Sequence, residues 1–168
     1  NLTSGLGLKE AAPVRGTIYE ALTADEIARA EDFELETSVS GLRIIPADRH
    51  LTGAEVELVA LPGRESRLRP LLRAALDRYD YIFIDTPPSL GLLTLNALVA
   101  ADSVLIPLNC EYFALEGLAE LMATMQRIRS ALNPFLDVEG VLLTMADPRT
   151  RLGQQVAGEV RGHFKDKV

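Results

Sequence analysis

Apolar residues along this chain fall into two alternating patterns, stripes at helical spacing and short unbroken runs. Ile18, Ala21 and Leu22 begin a short helix after Thr17, and residues 54–61 form another that ends at Pro62 and Gly63. Between 64 and 78, Leu68, Leu71, Leu72, Ala75 and Leu76 recur every three or four positions. That spacing predicts an amphipathic helix whose outer face carries Arg64, Arg67, Arg69, Arg73 and Arg78. Leu92, Leu95, Asn96 and Val99 mark a helix running to Ala101. Residues 114–132 form a long one, with Leu115, Leu118, Leu121, Met122, Met125, Ile128 and Leu132 as its inner stripe and the methionines as core filler. Asn133 and Pro134 break it, and Leu152, Val156, Val160 and Phe164 give the face of a last helix.

The short runs predict strands at 42–46, 81–84, 103–107 and 140–145, with Pro46 and Pro107 closing two of them. Tyr81, Ile82, Phe83 and Ile84 have the composition of a strand covered on both faces of a parallel sheet. The run ends on Asp85, and Pro87 and Pro88 have no N–H to continue a ladder, so the chain turns out of the sheet there. Strands alternating with helices imply βαβ units and right-handed crossovers. The expected fold is α/β, a mostly parallel sheet with helices on both faces, in a single domain spanning 1–168.

Composition narrows the picture. The chain has 168 residues, 48% of them apolar, enough for a real core, and a net charge of -7 argues against wholesale wrapping of nucleic acid. Glu31, Asp32, Glu34 and Glu36 read as a solvated acidic surface. With Cys110 as the single cysteine no internal disulfide is possible, which fits a reducing, cytoplasmic setting. No apolar run approaches the length of a membrane span. Both ends read as truncated: Asn1 to Gly7 resembles a loop inside a domain, and Phe164 to Val168 a helix end feeding a further strand.

Asp85 is the residue of chemical interest, because ligands bind at the carboxyl edge of open α/β sheets. The alternative is a carboxylate that caps the helix starting near Ser89. A phosphate cradle would need Gly-x-x-x-x-Gly-Lys-Ser/Thr before a helix; the motif does not occur, and lysine occurs only at Lys9, Lys165 and Lys167. Ser89 lacks the Gly-x-Ser-x-Gly turn of an esterase, His50 and His163 have no triad context, and the lone Cys110 excludes a cysteine-held iron–sulfur cluster.

Several motifs together resemble the ParA/Soj family of partitioning ATPases, deviant-Walker P-loop relatives of MinD. They are Asn1-Leu-Thr-Ser-Gly-Leu-Gly7, Tyr81 to Gly91, Leu95 to Leu98, Ala101 to Pro107, Cys110 to Gly117, and Gly140 to Met145 with Arg149, Thr150 and Arg151. The resemblance implies ATP and Mg²⁺ as cofactors, an ATP-dependent homodimer, non-specific DNA binding at the nucleoid, and a ParB/Spo0J-type partner that stimulates hydrolysis. It implies that Asp85 holds Mg²⁺ through water and that Thr86, Pro87 and Pro88 belong to the segment sensing the γ-phosphate. Glu111 would face the nucleotide or the dimer seam, or else cap the helix beginning near Phe113. Arg149, Arg151, Arg161, Lys165 and Lys167 are the candidate DNA contacts, and for these and for residues 64–78 a solvated basic surface is the alternative. In the family the phosphate loop would lie before Asn1 and the adenine-contacting segment after Val168. These 168 residues alone are therefore expected neither to bind nor to hydrolyse ATP. A MinD-like membrane-associated ATPase and a non-enzymatic module of the same fold are the other readings.

Overall fold

The computed structural model describes residues 2–8, 16–147 and 149–168, so Asn1 and Lys9 lie outside the described residues. The chain divides into two compact units, Asn1–Ala100 and Ala101–Val168.

The first unit is mainly helical. A single turn, α1 (Leu2–Gly5), stands where loop chemistry was expected, and α2 (Ile18–Thr23) follows. A capping box starts α2: the Thr17 hydroxyl accepts from the Tyr19 amide, and the Glu20 carboxylate accepts from the Thr17 amide at 2.6 Å. β1 (Leu35–Glu36) and β2 (Arg43–Ile44) pair antiparallel, so the strand expected at 42–46 contracts to a two-residue rung. α3 (Leu51–Leu58), α4 (Leu68–Arg73) and α5 (Leu92–Ala100) complete the unit. Ala54 and Leu58 of α3 are fully buried, in one apolar cluster with Leu22, Phe33, Leu71 and Ala97. Burial of this kind contributes about 25 cal/mol per Å² of apolar surface removed from water, which fixes α3 against its neighbours.

Two expectations in this unit are corrected. The helix over 64–78 is broken into turns, α4 and a 3₁₀ turn at Leu76–Arg78. Pro70 explains the late start, since its ring excludes the carbonyl four residues earlier and is tolerated only in a first helical turn. The strand at 81–84 is not formed as a two-sided strand. Ile82 and Ile84 pack on the core cluster, while Tyr81 and Phe83 are each 80% exposed and stack on one another at 6.3 Å. A strand buried on both faces needs paired neighbours, and among the described residues no strand pairs with this segment.

The second unit is a βαβ unit followed by a helix. β3 (Ser103–Asn109) and β4 (Asp137–Thr144) are parallel, joined through α6 (Tyr112–Ala131), and α7 (Arg151–Phe164) follows. Strand β3 runs through Pro107 rather than stopping there, because a strand's open side needs no donor. Ile106 and Leu108 alternate with the exposed Leu105 and are buried with Met125, Ile128, Val138 and Val156. Helix α6 ends as expected at Asn133-Pro134, where the buried Asn133 side chain donates to the Ala101 carbonyl at 2.7 Å.

The start of α7 is built tightly. The Thr150 hydroxyl accepts from the Gly153 amide at 3.1 Å. A Cβ on Gly153 would lie 2.7 Å from that hydroxyl and 2.9 Å from the Asp147 carbonyl. Gly153→Ala is therefore expected to open the cap and cost about 1 to 2 kcal/mol, read as a lowered midpoint in thermal unfolding. An unchanged midpoint would mean that the cap relaxes freely.

Candidate functional site

Asp85 lies at the end of the extended segment 81–84 with its side chain exposed, and its Oδ2 accepts from the Leu2 amide at 3.3 Å. Thr86, Pro87 and Pro88 follow, all exposed. The far end of this loop is tied to α5: the Thr94 hydroxyl, 6% exposed, donates to the Ser89 carbonyl at 2.6 Å and approaches the Pro87 carbonyl at 3.4 Å. The first turn of α5 receives its carboxylate from elsewhere. Glu55 of α3 places Oε1 at 3.4 Å from the Leu93 amide. Asp85 therefore does not cap this helix, and the capping alternative drawn from the sequence is corrected.

Asn96 holds α5 from beneath. It is 1% exposed, its Oδ1 accepts from the Leu68 amide at 3.1 Å, and its Nδ2 donates to the Arg64 carbonyl at 2.7 Å and the Leu92 carbonyl at 2.9 Å. These bonds join the start of α4 to the start of α5. Arg67 in turn donates to the Leu22 and Ala24 carbonyls at the end of α2. The basic face expected over 64–78 is thus partly internal.

The acidic run is also revised. Glu36 and Glu31 are at the surface, but the Glu34 side chain is only 5% exposed and takes two bonds from the Arg78 guanidinium, at 2.5 and 3.0 Å. The Tyr79 hydroxyl donates to it at 2.7 Å. Burial alone would push the Glu34 carboxyl up, yet the Arg78 and Tyr79 hydrogen bonds and the nearby guanidinium charges outweigh it and hold the carboxyl below its ordinary value.

In the second unit Glu111 occupies the N-cap position of α6 in extended backbone, but its exposed carboxylate makes no capping hydrogen bond. The basic candidates divide between the two ends of α7, a 14-residue helix and so about 21 Å long. Arg149 and Arg151 stand at its start, Arg161, Lys165 and Lys167 at its end. Arg149 grips Asp147 with two bonds of 2.9 Å, and Lys167 pairs with Asp137 at 3.0 Å while donating to the Val138 carbonyl. Those pairs hold both carboxyls below their ordinary values, through the Arg149 hydrogen bond for Asp147 and the Lys167 hydrogen bond for Asp137. Among the described residues there is no cluster of three or more metal-ligating side chains, and no helix is long and apolar enough to cross a membrane.

A family model for an AAA domain matches residues 1–138. The whole chain is 55% identical to the chromosome partitioning protein ParA of Myxococcus xanthus and 53% identical to the sporulation initiation inhibitor protein Soj of Bacillus subtilis. The chain belongs to the ParA/Soj family. It spans 58% and 65% of the length of those two ParA/Soj relatives. Two solved structures share the fold. A cobyrinic acid a,c-diamide synthase from Mycobacterium smegmatis, with bound ATP analog and magnesium, superposes with a TM-score of 0.85 at 34% identity, over 98% of this chain and 66% of that one. A plasmid partition protein from Borrelia burgdorferi gives 0.81 at 26% identity, over 99% of this chain and 69% of that one. The α/β fold of P-loop type expected of a ParA/Soj chain is the fold found.

What the sequence did not reveal is the support around the loop. Glu55 and Thr94 belong to no motif that points to them, while Asn96 lies inside the Leu95 to Leu98 motif as a polar residue on an otherwise apolar stripe, and Gly91 sits where the loop meets the helix.

Proposed function

We propose that this chain is the Walker B and dimer-facing portion of a ParA/Soj-type ATPase that segregates chromosomes or plasmids by ATP-dependent dimerisation and non-specific DNA binding. The observation that carries the reading is 55% identity along the whole chain to a chromosome partitioning protein. The ATP analog and magnesium in the 34% identical synthase structure support those ligands here.

Asp85 suits a magnesium ion held through water. Its carboxylate is exposed and, among the described residues, takes one long hydrogen bond from a backbone amide, which leaves acceptor positions for the water protons of a hard cation. Bound Mg-ATP would supply the transferable phosphoryl group and the charge neutralisation its transfer requires. The chain's own work is positional. Asp85 orients metal-bound water, Pro87 and Pro88 narrow the backbone freedom of the loop, and the Thr94 hydroxyl passes loop position to α5. Glu111 faces the nucleotide or the dimer seam in this reading, and Arg149, Arg151, Arg161, Lys165 and Lys167 meet DNA phosphates, with a steep salt dependence. The protein acts in the cytoplasm at the nucleoid with a ParB-type partner.

The test is Asp85→Asn in the full-length protein, with ATP hydrolysis followed as magnesium is titrated. The variant is expected to need about 10- to 100-fold more magnesium, the loss typical of an outer-sphere ligand partner. An unchanged magnesium requirement removes Asp85 from the metal site.

A further inference from the structure

We propose that Glu55 is a positioning residue that latches the loop from Asp85 to Gly91 in its resting place. Helix α3 gives the latch a fixed base, because Ala54 and Leu58 on either side of Glu55 are fully buried. From that base the carboxylate reaches the first turn of α5 beside Gly91. A Cβ built on Gly91 would lie 2.1 Å from Glu55 Oε1 and 2.9 Å from its Cδ. Gly91 is not among the described glycines with positive φ, so backbone conformation does not demand glycine at this position. The space it leaves is filled by the Glu55 carboxylate.

The physical reason for the contact is the exposed positive end of α5. The first amides of a helix have no partner within it, and a carboxylate there satisfies a donor and is attracted by the helix dipole. Glu55 Oε1 lies 3.4 Å from the Leu93 amide, one residue before Thr94, whose hydroxyl holds the Ser89 carbonyl. Displacing the loop therefore drags the turn that Glu55 holds, and the path runs from α3 through Glu55, Leu93 and Thr94 to the loop opened by Asp85. The latch concerns the resting geometry; its role in switching rests on the function proposed above.

The test is site-resolved hydrogen exchange on the full-length protein without nucleotide, comparing wild type with Glu55→Gln, Gly91→Ala and the double variant. Both single substitutions are expected to speed exchange at residues 92–95 roughly two- to fivefold, the change a charge at a helix terminus produces. Exchange across α3 should stay at its wild-type rate. The two effects should not add, because Gly91→Ala expels the same carboxylate that Glu55→Gln neutralises. Wild-type exchange at 92–95 in both single variants, additive effects, or equal loosening of α3 would overturn the latch. A latch that passes this test while Asp85→Asn leaves the magnesium requirement unchanged would stand without the ATPase reading, and the converse result would remove the latch alone.

Discussion

Asn96→Ala is expected to destabilise the first unit by about 2 to 4 kcal/mol, a large share of the stability a domain of this size possesses. The side chain is 1% exposed and is the partner of the Leu68 amide and the Arg64 carbonyl. Alanine has neither donor nor acceptor, so both backbone groups lose their partner; the buried Leu68 amide costs roughly 1 to 3 kcal/mol when orphaned, and the part-buried Arg64 carbonyl costs less. Chemical denaturation with an unchanged m-value would read the loss as a lower midpoint. Loss below about 1 kcal/mol would show that water reaches those groups and that the join between α4 and α5 is looser than its hydrogen bonds imply.

Glu34→Ala is expected to lose about 2 to 3 kcal/mol at neutral pH, by leaving the Arg78 guanidinium and the Tyr79 hydroxyl without their acceptor. The value is set below that of a fully buried pair because Arg78 is 32% exposed and regains water. The effect carries a pH signature. The Glu34 carboxyl lies below its ordinary value in the folded chain, so its contribution is complete above the unfolded value, about 4.3, and fades as pH falls through the folded one. Denaturation of wild type and variant from pH 7 down to pH 3 should give a constant difference above about pH 5 and a shrinking one below it. A difference independent of pH would assign the stabilisation to packing of the glutamate stem instead.

These two residues show where sequence reading reached and where it stopped. The second unit was legible because its signals are local: an apolar stripe in α6 that buries Leu118, Met125 and Ile128, with Leu132 of the expected stripe lying past the helix end and exposed, an Asn133-Pro134 stop, and a last helix with Val156 and Val160 inside. The first unit depends on partners far apart in the chain. Nothing near Glu34 in sequence distinguishes it from Glu36, yet Arg78 arrives from 44 residues away and turns one of the two inward. The segment 81–84 failed for a related reason. Its apolar run was read as two buried faces, but the described residues supply packing for Ile82 and Ile84 alone. The end of the extended segment at Asp85 was legible from the two prolines after it. Glu55 was not, since only the fold brings the middle of α3 to Gly91.

The outward stacking of Tyr81 and Phe83 has an optical consequence. The chain contains no tryptophan and only four tyrosines, so its ultraviolet emission is carried by few fluorophores, and one of them stands in water 80% uncovered. Tyr81 is four residues before the carboxylate that opens the loop, on the same extended stretch. Whatever comes to lie over that ring changes its quenching by solvent, which makes the native phenol a label-free indicator of when this flank is covered.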